Sequence, residues 1–153
     1  MIFIIEGPEG SGKSTLAQQI SMMTGYPIVH RDKPKDDKEK AEMLGQYIQD
    51  IKSGKNMVYD RCWYSEIVYG PIMRDASVLT YPQMYELEQL VAVKGGMIIY
   101  CTGPKLAMFK RAQRRGEDYV TDKETHIAIC DAYDALFNSC PHYLPLVKYE
   151  VRG

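Results

Sequence analysis

Ile2-Phe3-Ile4-Ile5-Glu6-Gly7-Pro8-Glu9-Gly10-Ser11-Gly12-Lys13-Ser14-Thr15 begins as an apolar run and passes straight into a glycine-rich one. Four consecutive apolar residues with a turn signal behind them read as a strand buried on both faces. From Gly7 to Ser14 the spacing is G-x-x-x-x-G-K-S, the phosphate-binding loop in its expected place after a strand and before a helix. The glycines let the backbone turn so that successive N–H groups point into one hollow. The helix starting near Lys13 adds the positive end of its dipole. Gly7, Gly10, Ser11, Gly12, Lys13, Ser14 and Thr15 are therefore the expected ATP-binding residues. Lys13 is expected to reach the β- and γ-phosphates, and Ser14 to hold Mg²⁺.

Outward from the loop, apolar strands alternate with helical patterns through all 153 residues. This predicts one α/β domain over 1–153, a doubly wound five-stranded parallel sheet with helices on both faces. Strands are expected near 1–6, 27–30, 56–60, 97–102 and 146–151. The first helix is expected over 13–24, with Leu16, Ile20 and Met23 inward and Gly25 stopping it. The second is expected over 36–53, with Ala41, Leu44, Ile48 and Ile51 inward. Further helices are expected over 63–73 and 104–115. Thr80-x-x-Gln83 and Thr121-x-x-Glu124 read as capping boxes that open helices to about 94 and 139. Ligands of such a sheet lie beyond the carboxyl ends of the strands. That rule gathers the phosphate loop, His30 and Arg31, Asp60 and Arg61, and the segment after Arg111 around one cleft.

The formal net charge is -1, which argues against stable nucleic-acid binding. No apolar run has the length of a membrane span. The N-terminal apolar stretch ends at Glu6 and lacks a signal peptide's basic region, so the expected location is cytoplasmic, with no membrane partner. Cys62, Cys101, Cys130 and Cys140 form no C-x-x-C pair and are expected as reduced, mostly buried thiols. His30, His126 and His142 are too scattered for a metal site, so the expected metal is Mg²⁺ arriving with the nucleotide.

Asp60 closes the run Met57-Val58-Tyr59. An acid there, beside a phosphate loop, is expected to hold Mg²⁺, and Arg61 to meet a second phosphate. Arg111, Arg114 and Arg115 precede Gly116-Glu117-Asp118. They suit either a solvated helix end or a lid over about 111–121. Phosphoryl transfer needs cations, and the lid reading supplies them to a loop that carries Glu9 and no arginine. Trp63 suits base stacking as well as core packing.

Glu6-Gly7-x-x-Gly10-x-Gly12-Lys13-Ser14-Thr15, Asp60-Arg61-x-x-x-Ser65-x-x-x-Tyr69, and Lys110-Arg111 through Arg115-Gly116-x-Asp118 together resemble the thymidylate kinase family. The match spans most of the chain in separated blocks. It implies the nucleoside monophosphate kinase-like version of the P-loop nucleoside triphosphate hydrolase fold, and a homodimer as one possible assembly. It further implies that Glu9 contacts the sugar 3′-hydroxyl, Arg61 grips the acceptor phosphate, and Tyr69 closes the space of a ribose 2′-hydroxyl. Arg31 resembles the arginine of the family's Thr-Arg-Glu-Pro block. Family members with glycine after the loop carboxylate, as at Gly10, place catalytic arginine in the lid. The segment from Arg31 to Asp60 is short for the family, and its Phe-x-x-x-Arg thymine reader is absent. Ser65 and Glu66 fall where relatives meet the acceptor base. Glu66, if ionised, selects a base edge that offers N–H, unless it is simply a solvent-facing glutamate.

The expected activity is ATP-dependent phosphoryl transfer to a nucleoside monophosphate, a deoxynucleotide by resemblance. Lys13, Asp60, Arg61, Arg111, Arg114 and Arg115 would be catalytic, and Ser14 and Asp60 would hold the metal. Substrate binding would fall to Glu9, Arg31, Arg61, Ser65, Glu66 and Tyr69. Two alternatives stand beside it: a deoxynucleoside kinase acting on a 5′-hydroxyl, with Asp60 as base, and a nucleotide-binding protein without turnover.

Overall fold

The computed structural model describes every residue except 118, 152 and 153. Its elements are β1 (Ile2–Glu6), α1 (Lys13–Thr24), β2 (Ile28–Val29), α2 (Asp37–Lys52), β3 (Met57–Asp60), α3 (Trp63–Met73), α4 (Tyr81–Lys94), β4 (Gly96–Thr102), α5 (Lys105–Arg114), α6 (Lys123–Asp134) and β5 (Leu146–Glu150). The last turn of α6 widens into a π-helical stretch, Ala135–Ser139. The strands form one five-stranded sheet in the order β2-β3-β1-β4-β5, and every neighbouring pair is parallel.

Alternation along β1 divides the core in two. Ile2 and Ile4 face the larger layer with Tyr59, Ile98 and Tyr100, covered by residues of α2, α3, α4 and α6. Ile5 faces the smaller layer with Val58, Cys101 and Ala17 of α1. By the same period Glu6 points into the larger layer, and it is fully buried. β1 and β3 pair with Ile5 opposite Asp60, so the phosphate loop and the Asp60-Arg61 turn leave the sheet side by side.

Several expectations shift in detail. Met23 does not face inward; it and Met22 are each 85% exposed. In α2 the buried stripe is Met43, Tyr47 and Ile51, with Ala41 exposed. Tyr47 belongs to that stripe through edge contacts with Tyr59 and Trp63. The capping box at Thr80 forms with both halves. The second box does not: Asp122 caps α6, accepting from the Thr125 N–H and hydroxyl. A carboxylate one residue on takes the place expected of Thr121. Trp63 is fully buried among Tyr47, Tyr59 and Tyr64, so it packs in the core and does not stack on a ligand. The four cysteines are free thiols, and Cys62, Cys101 and Cys130 are buried.

Candidate functional site

The loop's backbone requires its glycines. Gly10 has φ 78°, and a Cβ there would lie 2.0 Å from the Met108 carbonyl oxygen of α5. Gly12, at φ 81°, begins α1 with no side-chain cap and no acid in the first turn. A helix start without a capping side chain keeps donors for an anion. Lys13 is buried, and its Nζ donates to the Pro8 carbonyl at 3.4 Å. Burial lowers its pKa to about 8; the Arg61 charge acts in the same direction, and Glu117, Asp60 and Glu6 oppose it.

Ser14 Oγ donates to Asp60 Oδ2 at 2.9 Å, while Asp60 Oδ1 is buried without a hydrogen-bond partner among the described residues. A hydroxyl beside a carboxylate with a spare oxygen suits a hard cation that takes oxygen ligands. Mg²⁺ commonly binds one or two carboxylates together with water and substrate phosphates. Among the described residues no group of three or more His, Cys, Asp or Glu forms a metal cage.

Glu6 is the residue that motif reading missed. Its Oε2 accepts from the Cys62 and Ser65 N–H groups at 2.9 and 3.0 Å. Its Oε1 accepts from Ser65 Oγ at 2.8 Å and Tyr133 OH at 2.9 Å. The N-cap of α3, Cys62, has no capping side chain of its own; the β1 carboxylate caps that helix from across the sheet. Burial pushes the Glu6 carboxyl up, and the hydrogen bonds from the Cys62 N–H, the Ser65 hydroxyl and Tyr133, with the Arg61 charge, pull against it without overcoming it. A charge on the Ile2–Ile4 face was the signal available in the sequence.

Arg61, between β3 and α3, has φ 69°. A non-glycine residue held there carries strain that its surroundings must impose. Its guanidinium lies 5.3 Å from the Tyr69 ring centre. Three buried polar atoms near it lack hydrogen-bond partners among the described residues: Arg61 Nε itself, Glu9 Oε2 and Tyr69 OH. Burial raises the Glu9 pKa, with Arg61 lowering it and Glu117 raising it further.

Two hollows meet here. The smaller, about 280 Å³, is lined by Glu9, Lys13, Ser14, Asp60, Arg61 and Glu117 among others. The larger, about 510 Å³, includes Arg31, Ser65, Glu66, Tyr69 and Arg74. Arg61, His30 and Tyr119 line both. All six expected substrate residues therefore fall at one or other hollow. Arg31 is fixed by a bidentate pair with Asp50, at 3.1 and 2.6 Å. Glu66 is buried rather than solvent-facing, and both of its oxygens are engaged, with the Val78 N–H at 2.8 Å and with Arg74. His30, expected at the cleft but given no role there, sets Nδ1 2.9 Å from the Asp60 carbonyl oxygen.

The expected lid begins in α5. Arg111 donates from Nη1 to the Gly10 carbonyl at 3.3 Å. Arg114 and Arg115 are exposed at the helix end and line neither hollow. Glu117 Oε2 accepts from the Gly10 N–H at 3.1 Å, so a carboxylate sits against the phosphate loop. Asp118 lies outside the described residues. Tyr119 lines both hollows, with Lys33 Nζ 3.7 Å from its ring centre.

No protein-family model matches the chain. A relative, the SPbeta prophage-derived protein YorR of Bacillus subtilis (strain 168), is 29% identical over 123 residues, 80% of this chain and 74% of that protein. The crystal structure of YorR, in complex with phosphorylated GDP, covers 98% of this chain and 85% of its own, with a TM-score of 0.80 at 22% identity. Deoxyadenosine kinase from M. mycoides with bound dATP has a TM-score of 0.69 at 18% identity, covering 98% of this chain and 91% of its own. A gluconokinase from Sinorhizobium meliloti 1021 has a TM-score of 0.59 at 15% identity, covering 97% and 81%. With its strand–loop–helix phosphate site and its parallel sheet, the chain has the α/β P-loop nucleoside triphosphate hydrolase fold, and kinases are among its structural neighbours.

Proposed function

We propose that the chain transfers the γ-phosphoryl group of ATP to the phosphate of a nucleoside monophosphate, a deoxynucleotide, as the thymidylate kinase-like enzymes its motifs resemble do. Arg61 carries the reading. It is a strained, half-buried cation shared by the smaller hollow and the larger cavity, and its Nε lacks a partner among the described residues. A monophosphate is already a nucleophile; it needs positioning and charge neutralisation more than a base. Lys13 and the α1 N-terminus would hold the ATP phosphates, Arg61 the acceptor phosphate, and Arg111 the transferred group. Glu9 and Tyr69, with unpaired polar atoms, would meet the acceptor sugar. Mg²⁺, held by Ser14 and Asp60, would neutralise charge on the phosphate oxygens. The segment carrying Tyr119 would exclude water. The bound nucleotides of YorR and of the M. mycoides deoxyadenosine kinase support a nucleotide ligand for this cleft.

One observation favours a second reading, transfer to a nucleoside 5′-hydroxyl. Asp60 Oδ1 is unpartnered among the described residues beside the smaller hollow, where a carboxylate can take a hydroxyl proton. The variant Arg61→Ala separates the two. For a monophosphate acceptor it should lower acceptor kcat/KM by about 30- to 1000-fold, the scale of losing one partner of a buried charge pair, and leave the ATP KM within about threefold. A raised ATP KM with an unchanged acceptor KM contradicts the assignment.

A further inference from the structure

The larger cavity has a chemically distinct end. Arg74 lines it but not the phosphate hollow. Arg74 is the residue that ends α3, its N–H bonded to the Gly70 carbonyl. Its guanidinium is held on two sides: Nη2 donates to Glu66 Oε2, and Nη1 donates to Tyr119 OH at 3.0 Å. The carboxylate that holds it is 4% exposed and the arginine side chain 22%, so the pair sits in the wall with the cation nearer the cavity.

This arrangement fixes the polarity of that wall. Glu66 gives one oxygen to the Val78 N–H and the other to Arg74, so its charge is compensated within the wall and it serves to hold Arg74 in place. Arg74 has five N–H donors in a rigid fork, of which these two bonds use two. Tyr119, having accepted from Arg74, still carries its own O–H donor. The cavity end therefore offers donors.

We propose that Arg74, oriented by Glu66 and Tyr119, reads the acceptor base and selects bases with a carbonyl oxygen at the position farthest from the sugar. This rests on the monophosphate reading above, in which the acceptor phosphate meets Arg61 and the base fills the remaining cavity. The 6-substituent of a purine and the 4-substituent of a pyrimidine lie farthest from the glycosidic bond. Guanine O6, beside N7, and thymine or uracil O4 accept from a guanidinium. The N6 amine of adenine and the N4 amine of cytosine are donors and would face N–H with N–H. A site built for a polar contact discriminates strongly against a partner that cannot make it.

The experiment is a kcat/KM panel with Mg·ATP and dGMP, dTMP, dUMP, dAMP and dCMP, run on the wild type, on Arg74→Gln, and on the double variant Glu66→Gln/Arg74→Gln. The double variant avoids leaving the Glu66 carboxylate buried and unpaired, and thermal unfolding checks that each protein folds. The wild type should use one or more carbonyl-bearing nucleotides at least about tenfold better than dAMP and dCMP. An amide at position 74 both donates and accepts, so the folded variants should narrow that gap. A wild type that prefers dAMP or dCMP, or folded variants with an unaltered ranking, overturns the assignment of Arg74. Turnover of none of the five overturns instead the acceptor reading on which it stands.

Discussion

Glu6 joins three parts of the molecule through one carboxylate. It ends β1, caps α3 through the Cys62 and Ser65 N–H groups, and holds Tyr133 of α6. Removing it orphans buried donors, each worth about 1–3 kcal/mol. Glu6→Ala should therefore lower unfolding free energy by at least about 3 kcal/mol, read from urea titrations. A loss below about 1 kcal/mol would show that water or rearrangement replaces it. Lys13→Ala should behave in the opposite way, with turnover lost and the fold kept; activity within about tenfold of wild type would remove Lys13 from its assigned role. Lys13 was legible because a motif fixes its spacing. Glu6 was not, because its role depends on which groups the fold brings to it; only its place on the Ile2–Ile4 face marked it. Glu66 was legible as a residue of the cavity but not in its pairing, since Arg74 and Val78 reach it through a turn that no motif describes.

Elements follow their local punctuation where caps and glycines are unambiguous. α3 and α4 end where the sequence says they end, while α6 starts one residue late because Asp122 outcompetes Thr121 for the capping position. In the proposed reaction the segment after α5 has the most to do. The Gly10 N–H donates to Glu117, so in the proposed reaction Glu117 competes with the triphosphate for that donor. Glu117→Ala should then tighten a non-hydrolysable ATP analogue by about three- to tenfold, the scale of one net hydrogen bond together with a removed like charge, by calorimetry. Unchanged or weaker binding would mean that Glu117 does not compete with phosphate. Arg111, already at the Gly10 carbonyl, is the lid arginine expected to act on rate. Arg111→Ala should lower kcat by about 10³-fold, by analogy with arginine fingers, and a kcat within about tenfold would leave it a structural contact.

At the scale of the whole molecule, alternation of apolar strands and helices gave five parallel strands and a cleft at their carboxyl ends. It did not give the order β2-β3-β1-β4-β5, since pairing between distant strands leaves no local trace. Nor did it reveal the buried polar cluster far from the loop. There His142 Nδ1 lies 2.6 Å from Glu88 Oε2 and Nε2 lies 2.7 Å from the Leu136 carbonyl oxygen. Both ring nitrogens face acceptors, which only the doubly protonated ring satisfies. Burial opposes that charge, but the bonds to Glu88 and Leu136 outweigh it and raise the pKa. A histidine pKa raised on folding adds stability that is complete below the unfolded value of about 6.5 and is lost as pH rises through the folded value. The melting temperature should fall over that range, and His142→Gln should flatten the fall; an equal slope in both proteins would exclude His142 as its source. The phosphotransfer reading itself is tested most directly by product identity. The protein is incubated with Mg·ATP and, separately, deoxynucleosides and deoxynucleoside monophosphates, and the products are weighed by mass spectrometry. The account predicts a deoxynucleoside diphosphate formed one for one with ADP from a monophosphate. Monophosphates formed from nucleosides while every added monophosphate stays unchanged would contradict it.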